Sequence, residues 1–249
     1  MAIIYGHKSN YITSIERKNF VLWLACLVVA GFLIWSLHWL RPVSMTVLFI
    51  ALAGFAVLFT IVAPIMRYYD RGFFKALDGL LGEKAVHKVL TKLPDTYSVF
   101  WGLKLREHRD IDFVVVGPTG VFTLEVKSHV GTIGLSGREL LHGGYQFKEK
   151  DVLWQAKSEA MDVHGYLLQT LQKEIFVTPV IVFSSKRAWV HFGLKPVQSV
   201  YVIQKEWLLK LLTEHGTQSN ADIDRIVPVL ERLMDKQMTE RVKFPSPAT

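Results

Sequence analysis

Two carboxylates and a lysine, Asp112, Glu125 and Lys127, flank one short turn, close enough along the chain to act together. The turn, Gly117-Pro118-Thr119-Gly120, has proline second and glycine fourth, which fits type I geometry. With Gly117 and Gly120 flanking it, antiparallel pairing sets Val116 opposite Val121 and Val114 opposite Thr123. It then sets Asp112 opposite Glu125 and Asp110 opposite Lys127, with all eight on one face. The other face, Ile111, Phe113 and Val115 against Val126, Leu124 and Phe122, is wholly apolar. In that register the carboxylates stand about 5 Å apart at Cβ. Like charges so placed repel, and the pair needs a raised pKa, a nearby cation or a bound metal. Lys127 supplies part of the positive charge, and carboxylate oxygens suit Mg²⁺ or Mn²⁺. A solvated salt-bridge ladder of Asp110, Asp112, Glu125 and Lys127 accounts for the same pattern, so both readings stay open. Everything hangs on register, because a slip of one residue changes every pair.

The elements that must hold this hairpin follow from the pattern around it. Residues 73–93 read as helical with a break at Gly82. Tyr97–Leu105, Asp110–Val116 and Val121–Lys127 read as strands, with a shorter one near Gly131–Leu135. Residues 150–173 suit a long helix. Val177–Ser184 and Ser199–Ile203 are short, β-branched strands, and Glu206–His215 and Ala221–Met238 are helical. The sum is an α/β fold, a mixed sheet flanked by helices.

Several strings in this region resemble the nuclease-related domain, NERD, of the PD-(D/E)XK nuclease superfamily. They are Gly82-Glu83, Ile111-Asp112-Phe113-Val114-Val115-Val116-Gly117-Pro118, Gly120-Val121-Phe122, Leu124-Glu125-Val126-Lys127 and Gly131, in that order. The resemblance covers about residues 75–185 and implies a restriction-endonuclease-like core. It implies that Asp112 and Glu125 bind a metal, completed by the carbonyl of Val126, and that Lys127 positions or activates the attacking water. Glu83 matches a helix-borne acid that assists the metal, and Gln155 a glutamine of the following helix near substrate or metal. The family often has Asn-Pro three to four residues before that glutamine, where this chain has Asp151-Val152.

Other chemistry is sparse. A single cysteine, Cys26, excludes an intrachain disulfide framework and a cysteine-rich zinc site. The histidines form no zinc-like pair with a third ligand, although His87 and His129 stand near enough to Glu83 and Lys127 to reach a phosphate. There is no Walker lysine loop and no dinucleotide-binding glycine pattern. A net charge of +7 permits an anionic partner, and Lys104, Arg106, Arg109, Lys148, Lys150 and Lys157 are candidates for backbone phosphates.

The N-terminal part is of another kind. Phe20–Leu40 and Ser44–Met66 contain no Asp, Glu, Lys or Arg, and each matches the roughly 20 residues that span a bilayer. Arg41-Pro42-Val43 joins them as a tight hairpin. Lys8, Arg17 and Lys18 precede it and Arg67, Arg71 and Lys75 follow, which places both termini in the cytoplasm by the positive-inside rule. The expected division is a cytoplasmic segment at 1–19, a transmembrane hairpin at 20–66, a NERD-like domain at 67–203 and a helical extension at 204–249. The expectation is a multi-pass protein of the cell (inner) membrane with a cytoplasmic, Mg²⁺- or Mn²⁺-dependent nuclease acting on nucleic acid, DNA first. The other reading is a membrane-tethered nucleic-acid-binding or signalling module with the same fold and little activity.

Overall fold

The computed structural model describes residues 1–6, 54, 77–106, 109–147, 151–214 and 223–243. The chain divides into two units, Met1–Lys8 with Gly79–Thr249, and Ser9–Asp78. The uncharged stretches at 20–40 and 44–66 lie outside the described residues, Gly54 apart. Among the described residues no helix is long and apolar enough to cross a membrane.

The first unit is built on a six-stranded sheet. Its strands are β1 (Ile3–Gly6), β2 (Ser98–Arg106), β3 (Arg109–Gly117), β4 (Gly120–Lys127), β8 (Val177–Phe183) and β10 (Tyr201–Gln204), side by side in that order. β2, β3 and β4 form an antiparallel meander, while β8 runs parallel to β4, and β10 parallel to β8. β1 pairs parallel to β2 at the edge, through Ile3–Ser98 to Gly6–Trp101. Tyr5 on β1 stacks on Phe100 at 5.0 Å. A second sheet of four strands has the order β7 (Tyr145–Gln146), β6 (Glu139–His142), β5 (Gly131–Ser136), β9 (Ala188–Val190). The sequence reading contained β5 alone of these, because the others are short and lack a β-branched run.

Helices cover both faces of the large sheet. Helix α1 (residues 77–90) and α3 (Leu208–Glu214) lie on one face, where Val86, Leu90, Leu208 and Leu211 share a core with Phe113, Val115, Phe122 and Leu124. Helices α2 (Val152–Leu171) and α4 (Ile223–Lys243) lie on the other, where Val163, Leu167, Ile226 and Leu230 meet Phe100, Leu103, Val114 and Val121. Burying a side chain of this size contributes about 1.5–3 kcal/mol, so β3 and β4 are held from both sides. The strands are rich in Val, Ile and Phe, which suit a pleated, fully buried surface. A mixed α/β sheet flanked by helices is therefore the observed architecture. α1 runs unbroken through Gly82, against the expected break, because the packing of its Leu80, Val86 and Leu90 outweighs one glycine's propensity cost.

Candidate active site

From the turn to Phe113–Leu124 the hairpin has the expected register. Gly117 pairs Gly120, Val116 Val121, Val115 Phe122, Val114 Thr123 and Phe113 Leu124. Gly117 is required by its neighbour: a Cβ there would collide with the ring of Tyr97. That ring's hydroxyl donates to the carbonyl of Leu212 at 3.1 Å and so ties the turn to α3.

The ladder stops at Phe113–Leu124, one pair short of the two carboxylates. Beyond it the strands diverge. β3 follows β2 through Ile111–Leu103 and Asp110–Lys104, while β4 follows β8 through Glu125–Ile181 to Lys127–Phe183. Asp112 and Glu125 thus stand at the mouth of a fork. Asp112 Oδ2 accepts from the backbone N–H of Val126 at 2.7 Å, a donor that an unbroken ladder would pair with a carbonyl of β3.

The expectation that Ile111 shares a face with Phe113 and Val115 is corrected. Ile111 lies in the core with Val114 and Val116, whereas Phe113 and Val115 lie in the other. On β2, Phe100 and Leu103 likewise fall in one core although three residues apart. Between them Gly102 has φ 71°, the left-handed conformation glycine adopts at little cost. The irregularity at Gly102 and Asp112 reverses which way the side chains of both strands point. It leaves the Asp112 carboxylate in the fork instead of flat on a sheet face. The expected ladder pairing of Asp110 with Lys127 is corrected too, since the β3–β4 ladder ends at Phe113–Leu124 and Lys127 runs beside Phe183 of β8.

Lys127 Nζ forms an ion pair with Glu125 Oε1 at 2.8 Å, both side chains being nearly buried. It also donates to Gln155 Oε1 at 3.5 Å, from the first turn of α2. Gln155 Nε2 in turn donates to Glu159 Oε1 at 3.0 Å. From the opposite face, Glu83 on α1 occupies the stripe of Leu80, Val86 and Leu90, and its Oε2 accepts from the indole N–H of Trp101 at 3.0 Å. α1 approaches closely enough because Gly82 has no side chain: a Cβ there would come within 2.7 Å of Ser184 Oγ.

The electrostatics follow from this crowding. Burial, foremost, holds the Asp112 carboxyl well above the usual carboxylate range, and the charges of Glu125 and Glu83 add to it. The Val126 N–H works against that rise, and Glu159 adds a further push upward. Glu83 is also raised, first by burial and then by the charges of Glu125 and Asp110, with the Trp101 N–H opposing.

Of the residues that the sequence pointed to, Asp112 bonds Val126, Lys127 bonds both Glu125 and Gln155, and Glu83 bonds Trp101 and meets Glu125 through its charge. Among the described residues no group of three or more His, Cys, Asp or Glu stands close enough to hold a metal ion. His87 lies tilted against Trp101 at 4.9 Å, and His129 packs against His142 and Phe147 at 5.2 and 5.0 Å. Lys157 bonds Gln198 at 3.5 Å. Lys148 and Lys150 lie outside the described residues, as do the side chains of Arg106 and Arg109. Asp151, where Asn-Pro is frequent, is the N-cap of α2 and accepts from the N–H groups of Leu153 and Trp154. Asp and Asn cap equally well, and proline at the first helical position merely presets φ, so Asp151-Val152 starts the helix in the same place.

Sequence reasoning missed Trp101, Ser184 and Glu159. Only Glu159 left a signal, its spacing of four from Gln155 on a helix. Residues 78–184, from α1 to the residue after β8, match the sequence model of the nuclease-related domain, NERD. The chain thus carries a nuclease-related domain that contains the whole fork. No match was found among curated proteins or among solved structures.

Proposed function

We propose that this protein is a metal-dependent nuclease that hydrolyses phosphodiester bonds, DNA first among its substrates. The observation that carries the proposal is the fork, where Asp112 and Glu125 open off a continuous ladder with Lys127 bonded to Glu125, inside the stretch that matches NERD. Carboxylates at a buried fork, with the Asp112 carboxyl raised first by burial and then by the charges of Glu125 and Glu83, suit an added divalent cation. Their oxygen donors fit Mg²⁺ or Mn²⁺. Asp112, Glu125 and the carbonyl of Val126 would hold it, and the bound cation supplies Lewis-acid assistance to phosphate chemistry.

The chain's own groups do the rest. Lys127, held by Glu125, keeps an ammonium beside the reacting phosphate, where it orients the incoming water and stabilises developing negative charge. Gln155 supports that ammonium from α2, and Glu83 brings a further carboxylate to the other side of the fork.

The proposed location, a transmembrane hairpin at 20–66 with both termini and the nuclease domain in the cytoplasm, rests on the two uncharged stretches and the cations that flank them in the sequence. The full-length chain, solubilised in detergent, is expected to cut DNA only with Mg²⁺ or Mn²⁺, and Asp112→Ala and Lys127→Ala to abolish cutting. Retained cutting in both variants refutes the assignment. Metal-independent DNA binding without cleavage favours the binding-module reading.

A further inference from the structure

Glu159 is fully buried on α2, one turn beyond Gln155, among Ala156, Ala160 and Val163. A leucine at such a place would pack without desolvation cost, whereas a carboxylate is expensive to bury unless its bonds repay it. One such bond is to a residue of the candidate site: Gln155 Nε2 donates to Glu159 Oε1 at 3.0 Å.

That bond sets the sense of the amide. With its nitrogen on Glu159, Gln155 turns its oxygen to Lys127 Nζ, 3.5 Å away. The reversed amide would set N–H groups against an ammonium and an oxygen against a carboxylate, so both neighbours select one orientation. Lys127 is thereby held between two acceptors, Glu125 Oε1 at 2.8 Å and Gln155 Oε1. Four side chains from two elements, Glu125, Lys127, Gln155 and Glu159, form one chain of contacts that ends in the core.

We infer that Glu159 is a positioning residue that orients Gln155 and so holds the Lys127 ammonium in the fork. The inference rests on the nuclease reading only for its catalytic consequence; the positioning itself can be measured without turnover.

The test uses the full-length chain in detergent and follows the acetylation rate of Lys127 by peptide mass spectrometry, beside melting temperature and DNA cleavage. In Glu159→Leu, Lys127 labelling should rise roughly tenfold and kcat fall by a similar factor, with KM unchanged and Tm equal or higher. Glu159→Gln keeps an acceptor and should stay within about threefold of the parent. Gln155→Ala should raise labelling as much as Glu159→Leu, and the double variant no further, because both act through one contact. Unchanged labelling in Glu159→Leu, or additive effects in the double variant, overturns the inference. A marked fall in Tm in Glu159→Leu also overturns it, since the carboxylate then serves the fold. A parent protein that cuts no DNA sinks the nuclease reading alone, and the labelling series still decides the role of Glu159.

Discussion

Gly82→Ala tests whether the close approach of α1 places Glu83 at the fork. A Cβ at this buried position would stand 2.7 Å from Ser184 Oγ, while Ser184 Cβ and Ser128 Cβ, both at 3.5 Å, are ordinary neighbours. Ser184 is buried, and its Oγ donates to the carbonyl of Lys127 at 3.3 Å. The hydroxyl can yield only by giving up that bond or by pushing α1 outward. Overpacking of this kind costs about 1–3 kcal/mol. Replacing glycine by alanine within a helix returns about 1 kcal/mol. The net expectation is a loss of about 1 kcal/mol, or a Tm lower by about 2–4 °C for a domain of this size. Ser184→Ala alone forfeits one hydrogen bond, about 0.5–1.5 kcal/mol. In the double variant the clash is absent and the helix gain remains, so the protein should return close to parental stability. DNA cleavage should fall in Gly82→Ala, where Glu83 is displaced, and recover in the double variant. Denaturant unfolding of all four proteins measures the coupling, expected at about 1 kcal/mol or more. Additivity within about 0.5 kcal/mol means that the contact does not set the position of α1, and the reasoning fails.

Two further expectations concern protons. Because Asp112 and Glu83 have raised folded pKa values, the native state keeps protons that the unfolded chain has already lost above the usual carboxylate range. Stability of the metal-free protein should therefore fall as pH rises from that range through the raised values. Asp112→Asn should flatten the fall, raise Tm at neutral pH and abolish metal-dependent stabilisation and cleavage; melting curves in chelator across pH check this, and stability rising over the same window contradicts it. Trp101→Phe removes the N–H that holds the Glu83 carboxyl down, so the acid limb of the pH–rate profile should move to higher pH with kcat on the plateau little changed; an unmoved limb excludes Glu83 from that ionisation.

The sequence alone was enough to predict the hairpin and its register from the turn to Phe113 and Leu124, and it named candidate residues beyond that point. Alternation along β3 and β4 and one proline–glycine turn are local signals, and they give the pairing as far as Phe113 and Leu124, next to Asp112 and Glu125. The N-cap at Asp151 and the spacing of Gln155 and Glu159 are local as well. Tertiary structure decided the rest. The ladder ends before the carboxylates because β3 and β4 each follow a different outer neighbour, β2 and β8, and a left-handed glycine on β2 reverses the strand beside Asp112. Trp101 reaches Glu83, and Gly82 admits Ser184, across distances that no sequence spacing encodes. Ile3–Gly6 carries no alternation that names a partner, and it becomes an edge strand only because β2 leaves a free edge there. Side-chain types and short-range periodicity are written in the chain; how far two strands part, and what stands in the gap, depends on everything packed against them.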